Sequence, residues 1–474
     1  MAKAPSVTGA LLDGQALSGR QQMWMVVRLS VPAVLSQLSA TVMEYIDAAM
    51  VGSLGANASA SIGLVSSSTW LLGGLCSAAV AGFSVQVAQY SGAKDREKGR
   101  AVFCQSLMMA AVLGLLLAVI GMGLSGALPV WLGGKPEIQK DASRYFFILC
   151  AVLPALQLRV LAGGMLQCSG NIKTPSMLNI LMCGLDVLFN ALLIFPTRRV
   201  TLLGRTVALP GAGLGVTGAA LGTALAEVIT CLLMLRAACV GSDFLRLDRS
   251  CVWKPDPACY KLAARVSLPL GFEHTILCSA QIVTTHIVAP LGTVAIAAHS
   301  LAITAESLCY MPGSGIGTAA TTLVGQSLGA KRRDMARRFA RLAVLLGVAV
   351  MSAAGLLMFL LAPWIFTILT HDPAVRLLGA GVLRIEAFAE PLFAASIVCA
   401  GALRGAGDTK VPSLMNLCTM WGIRIPASAL LAPRLGLYGV WVAMCVELCV
   451  RGLLFLARLF RERWLDQRLI GEEG

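Results

Sequence analysis

The residues with most chemistry to offer are two acids, Glu44 and Asp47, inside the otherwise apolar stretch 26–55, VVRLSVPAVLSQLSATVMEYIDAAMVGSLG. That stretch is long enough to cross a bilayer as a helix. A carboxylate at membrane depth is costly unless it is paired, protonated or hydrated, so an acid there is a candidate for ion binding or proton exchange. Three residues apart, the two acids lie about 60° apart around a helix. Pro32, near the start of the same run, removes a backbone hydrogen bond and lets the helix bend. A bendable helix carrying a costly acid suggests a switch. The competing reading places Asp47, four residues before Val51, at the outer interface.

Further along, Asp186 and Asn190 stand one helical turn apart in 186-DVLFN-190, as do Thr223 and Glu227, so each pair shares a helix face. Counting back from the outer ends of their runs puts Asn190 level with Asp47, and Asp186 near the level of Glu44. Together these six residues describe one hydrated pocket in the first half of the chain; separate helix–helix hydrogen bonds are the alternative. The second half has Thr284 at the place equivalent to Asp47. It has Glu273 four residues after Pro269, open between a gate at the cytoplasmic mouth and a structural pair. His299 reads as a packing histidine. Glu447 and Arg451, one turn apart, are expected to pair, and Arg424, ahead of Pro426, to bond the carbonyls that the proline frees.

The elements that must position these groups are membrane helices. The chain of 474 residues is 57% hydrophobic and 13% charged, with a mean hydropathy of +0.78. Twelve apolar runs, near 26–51, 58–90, 101–128, 143–166, 175–196, 213–238, 262–289, 295–326, 338–361, 374–402, 411–433 and 437–460, predict an all-α integral membrane protein with twelve transmembrane helices. The net charge of +14 resides in loops between runs, which suits a membrane surface rather than nucleic acid. Lys and Arg concentrate in the loops on the N-terminal side, so both termini are expected in the cytoplasm. The 15 Cys lie scattered, mostly within apolar runs, and read as small buried residues. Residues 1–25, with Lys3, Asp13 and Arg20, lack the apolar core of a signal peptide and read as a cytoplasmic tail. There is no Walker loop, HExxH or GxSxG, and the four His are spread apart. The expectation is that the protein is not an enzyme, and that any pumping draws on an ion gradient.

A shift of 237 residues, half the length, superposes 164-GMLQCSGNIKTPSMLN-179 on 401-GALRGAGDTKVPSLMN-416. It also pairs Arg28 with Arg265, Pro32 with Pro269, Gln89 with Gln326, Gly92-Ala93-Lys94 with Gly329-Ala330-Lys331, and Pro154 with Pro391. Two parallel six-helix repeats follow, with a substrate path between them. The boundaries expected are an N-lobe over 26–238, a surface-lying cytoplasmic connector over 239–261, a C-lobe over 262–460 and a cytoplasmic tail over 461–474. Residues 197–215 read as an outer hairpin turning at Gly204, with the role of its three Arg left open.

The segments 44-EYIDAAMVGSLG-55, 164-GMLQCSGNIKTPSMLN-179, 311-MPGSGIGTAATTLVGQSLGAK-331, 401-GALRGAGDTKVP-412, 424-RIP-426 and 439-GVWVAM-444 closely resemble the multidrug and toxin extrusion (MATE) family, over nearly the whole chain. Within it the chain is more similar to the DinF-like than to the NorM-like branch. The resemblance implies a secondary active exporter that antiports amphipathic organic cations against H⁺ or Na⁺, with no cofactor beyond that coupling ion. It implies Asp47 and Thr223 as pocket residues and Pro32 as the helix bend. It also implies a Asn-then-Asp order in the fifth helix, which here is reversed to Asp186 then Asn190. The NorM-like C-lobe acids fall on Leu277 and Phe393, so a cation site there is not expected. Expected partners are small organic cations and membrane lipids, with the chain a monomer in a bacterial inner membrane. The alternative is a flippase or exporter of a lipid-linked or endogenous metabolite of the same superfamily, whose cavity should carry Arg or Lys for phosphate.

Overall fold

Ser18 starts the first helix. Its Oγ accepts the Gln21 N–H while the Gln21 side chain accepts the Ser18 N–H, and this reciprocal cap lets the helix begin at Gly19, ahead of the apolar run. The expected tail over 1–25 therefore gives its last seven residues to the helix. The computed structural model describes residues 18–202, 205–248, 253–467 and 469–470. The long helices are α1 Gly19–Gly52, α2 Ala56–Gly92, α3 Arg96–Leu124, α4 Pro136–Cys168, α5 Lys173–Leu193 and α6 Gly215–Cys239. The second half holds α7 Pro257–Val288, α8 Thr293–Gly329, α9 Arg333–Leu369, α10 in two pieces (Pro373–Glu386 and Glu390–Ala406), α11 Lys410–Leu435 and α12 Leu437–Phe460. This is the expected all-α fold of twelve helices in two sets of six.

Ten helices among the described residues are long and apolar enough to span a membrane. The other two are α7, interrupted by charge, and the broken α10. Proline explains the irregular places. Pro391 has no N–H to offer the carbonyl four residues back, and α10 breaks over 387–389. Ahead of Pro426, α11 widens into one π-turn over Met420–Arg424. α1 runs unbroken through Pro32, with the Arg28 carbonyl left without its helical donor. On α9, Trp364 and Ile368 are 71% and 80% exposed, which a lipid solvent makes favourable.

Strands β1 Pro196–Leu202 and β2 Arg205–Ala212 form the expected hairpin, with an irregularity in register between Pro196 and Arg198. Its predicted turn residue, Gly204, lies outside the described residues. The connector departs from expectation. Asp256 caps α7 and Pro257 fills its first turn, so the helix starts ahead of residue 262. The connector's described residues dock on α3 through the Arg100–Asp248 ion pair and through Gln105, whose side chain bonds the Lys254 carbonyl and the Asp256 N–H.

The lobes meet at the end of the bundle where α1 begins and α12 ends. There α1 contributes Met25, Val26, Leu29 and Ala33 to a core shared with Leu323 and Val324 of α8 and Phe339 of α9. Beside it, α2 and α8 cross with the symmetry of the repeat. A Cβ at Gly92 would sit 2.0 Å from the Gln326 carbonyl oxygen, and one at Gly329 would sit 1.9 Å from that of Gln89. Only glycine permits that approach. Gln89 Nε2 donates to the Gly405 carbonyl at 3.3 Å and Gln326 Nε2 to the Cys168 carbonyl at 2.9 Å, again equivalent positions. The chain past α12 packs onto this seam: Trp464 and Leu465 are buried, and Gln89 Oε1 accepts the N–H groups of Leu469 and Ile470.

Candidate functional site

Away from that seam, α1, α5 and α6 converge inside the N-lobe. The helical period of α5 sets Asp186 and Asn190 on one face, turned toward α1, and both are buried. Asn190 Nδ2 donates to Asp47 Oδ1 at 2.9 Å and to Asp186 Oδ2 at 3.0 Å, so one amide group bridges two carboxylates on different helices. The two carboxyl groups are themselves within hydrogen-bonding reach, and Thr223 on α6 lies close enough to interact with Asp186. Asp186 Oδ1 and Asn190 Oδ1 have no hydrogen-bond partner among the described residues. Room for this comes from α6, where a Cβ at Gly222 would lie 2.1 Å from Asn190 Oδ1. Two carboxylates this close repel unless one positive charge joins them, which a proton or a small cation supplies. Tyr145 of α4 stands in the field of both acids, a neighbour that spacing along the chain did not reveal.

The other expected members of the pocket are elsewhere. Glu44, about 60° round α1 from Asp47 and within its electrostatic reach, is exposed and makes no hydrogen bond or ion pair among the described residues. Glu227 is buried but belongs to a second group: it takes Arg159 Nε of α4 in an ion pair, and Arg159 Nη1 donates to Asn179 Oδ1 at 2.9 Å. Arg159 claims Glu227 because an unpaired buried guanidinium is far costlier than an unpaired amide or hydroxyl. Of the six residues expected in one pocket, Asp47, Asp186, Asn190 and Thr223 are brought together; Glu44 and Glu227 are not.

In the C-lobe, Glu273 accepts hydrogen bonds from Ser413 Oγ and Asn416 Nδ2, tying α7 to α11. Arg424 was expected on freed carbonyls; it pairs instead with Glu447, at 2.8 Å. The same carboxylate holds Arg451 at 2.6 Å as expected, so two guanidiniums share one acid. The π-turn frees carbonyls, but a buried carboxylate is the stronger acceptor. His299 is a packing residue, its Nδ1 accepting Trp441 Nε1–H at 3.1 Å. Glu306 of α8 and Glu386 and Glu390 of α10 are buried near this group, and no oxygen of Glu386 or Glu390 has a hydrogen-bond partner among the described residues.

Between the lobes, above the seam, lies a cavity of about 440 Å³ walled by α1, α2, α4, α5, α8 and α10. Tyr45 of α1 crosses from one lobe to the other on the Asp47 side, its hydroxyl donating to the Thr304 carbonyl of α8.

Comparison with known proteins agrees with this architecture. The MatE family model matches residues 32–192 and 269–430, two segments that begin 237 residues apart. The protein described as "Probable multidrug resistance protein NorM" of Thermotoga maritima is 24% identical over 461 residues, covering 94% of each chain. Its namesake in Chromobacterium violaceum is 26% identical over 449 residues, covering 92% of this chain and 94% of that one. A solved structure described as the "Outward-facing conformation of a multidrug resistance MATE family transporter of the MOP superfamily" superposes with a TM-score of 0.87 at 20% identity, covering 98% of this chain and 100% of that one. With a family model matched twice, in the register of its own internal repeat, the chain belongs to the MatE family of membrane transporters, not to the enzymes.

Proposed function

We propose that this protein is a secondary active exporter that antiports amphipathic organic cations against H⁺ or Na⁺ by alternating access. The names of its relatives, multidrug resistance proteins, support the substrate class. The observation that carries the coupling is the Asn190 amide bridging Asp47 and Asp186 inside the N-lobe. Taking up one proton or Na⁺ lowers the charge of that pair and relieves its repulsion, and losing it restores a site attractive to an organic cation; the two occupants compete for one charge deficit. Asp47 is on α1 and Asp186 on α5, so occupancy changes the force between those helices. Pro32, which has no N–H to offer the Arg28 carbonyl, is where α1 can yield. Glu273 acts as a tie between α7 and α11 rather than as an ion site.

With both termini in the cytoplasm of a bacterial plasma membrane, the α2–α8 seam closes the cytoplasmic side and the described state faces outward. The chain works as a monomer in contact with lipid. The test is ethidium transport in inside-out vesicles with separately imposed H⁺ and Na⁺ gradients. Transport driven by one of the two gradients in the wild type, and by neither in Asp47→Asn, is the expected result. Gradient-driven transport that survives Asp47→Asn refutes the coupling site.

A further inference from the structure

The inter-lobe cavity has a wall of unexpected charge for an exporter of cations. Its lining includes two guanidiniums, Arg159 and Arg404, and no carboxylate. Arg159 is already held by Glu227. Arg404 is not: it makes no ion pair among the described residues, and its buried Nε–H has no acceptor. A half-buried guanidinium that faces a cavity with no acid beside it is a ready partner for a visiting group of negative charge.

The repeat argues against a purely structural need. Shifted by 237 residues, Arg404 falls on Gln167, which lines the same cavity from α4. The seam that both positions flank is otherwise symmetric, glycine for glycine and glutamine for glutamine. A neutral amide therefore suffices at this place in the packing, and the second half carries a fixed positive charge there instead. The same cavity lining also offers Gln37 and Thr318, neutral donors and acceptors suited to a polar group.

We infer that Arg404 makes the floor of the inter-lobe cavity a carboxylate subsite, which takes the anionic end of a zwitterionic amphipathic substrate. The inference rests on the exporter reading above and narrows its substrate class: the favoured molecule carries a carboxylate as well as a cationic centre. A guanidinium binds a carboxylate through paired N–H donors in a geometry that an ester cannot match.

The test uses a matched pair of fluorescent probes, rhodamine 110, which has a free carboxyl group, and rhodamine 123, its methyl ester. Their binding to the purified full-length protein in phosphatidylcholine nanodiscs is followed by fluorescence anisotropy. The wild type is expected to hold rhodamine 110 about tenfold more tightly than rhodamine 123, the size of one charge-assisted contact. Arg404→Gln should erase that difference by weakening rhodamine 110 alone, and Arg404→Lys should keep part of it. The wild-type comparison decides by itself if either variant fails to fold. Equal affinity of the wild type for both dyes, or a parallel loss of both in a folded Arg404→Gln, overturns the subsite. So does a difference that vanishes when phosphatidylglycerol is added to the discs, which assigns Arg404 to a lipid headgroup. Rhodamine 123 bound without discrimination leaves the exporter reading standing, whereas a wild type that binds neither dye removes both.

Discussion

At the residue scale, Asn190 is the hinge of the N-lobe site. Both hydrogens of its amide are committed to carboxylates, one on each of two helices. Replacing Asp47 by Asn keeps the shape and removes the charge that a coupling cation must balance. Gradient-driven efflux is expected to fall to the level of vesicles without the protein, with the chromatographic profile of the purified variant unchanged. The reversed order on α5 gives a sharper test. Asp186→Asn leaves α5 with two amides and should lose coupling. The double exchange Asp186→Asn with Asn190→Asp restores one acid and one amide on the same face, with the acid now beside Asp47 Oδ1, and should transport. If the double variant is as inactive as the single one, depth along α5 governs, not composition of the face. Full activity of both would make Asp186 a structural hydrogen-bonding group.

At the scale of elements, two features can be separated by what they move. Pro32 sits within a continuous α1 that touches α5 in one lobe and α8 in the other. Pro32→Ala supplies the missing helical hydrogen bond and stiffens the element; turnover should slow while equilibrium binding of ethidium stays within about twofold, well under 1 kcal/mol. The Arg159–Glu227 pair ties α4 to α6, with side chains 14% and 4% exposed. Glu227→Gln strands a buried guanidinium and is expected to destabilise the protein by about 3 kcal/mol, seen as a lowered melting temperature. Arg159→Met combined with Glu227→Leu should recover most of the loss, because no charge then remains to be compensated. A single variant as stable as the wild type would show that water reaches the pair.

At the scale of the whole molecule, the two lobes are held closed on one side by a symmetric pair of glycine contacts and two glutamines. Gly329→Val places side-chain carbon where the Gln89 carbonyl now sits. Overpacking of this kind costs about 1–3 kcal/mol, and all of it falls on the state with the seam closed. The variant should still bind ethidium but fail to complete the cycle, so exchange of labelled for unlabelled substrate across the vesicle membrane is expected to stop. Unimpaired exchange would mean that the seam is not a required state.

Hydrophobic runs, a constant offset of 237 residues and one-turn spacings determined much about this protein without coordinates: twelve helices, two repeats, a hairpin near 197–215, and the shared faces of Asp186 with Asn190 and of Glu447 with Arg451. All of these are local or periodic, and helix geometry enforces them wherever the helix lies. Tertiary structure decided which faces meet. Asp47, Asp186 and Asn190 come together because α1 and α5 pack in one rotational setting, and in that setting Glu44 stays outside their hydrogen-bonded group. Glu227 looked equivalent to its neighbours until Arg159, 68 residues away, was found against it. Arg424 likewise was decided by Glu447 and not by the proline beside it. In each case the sequence names a buried charge, but its partner depends on how helices are rotated and crossed. That is settled by the packing of small residues such as Gly92, Gly222 and Gly329 across the whole bundle.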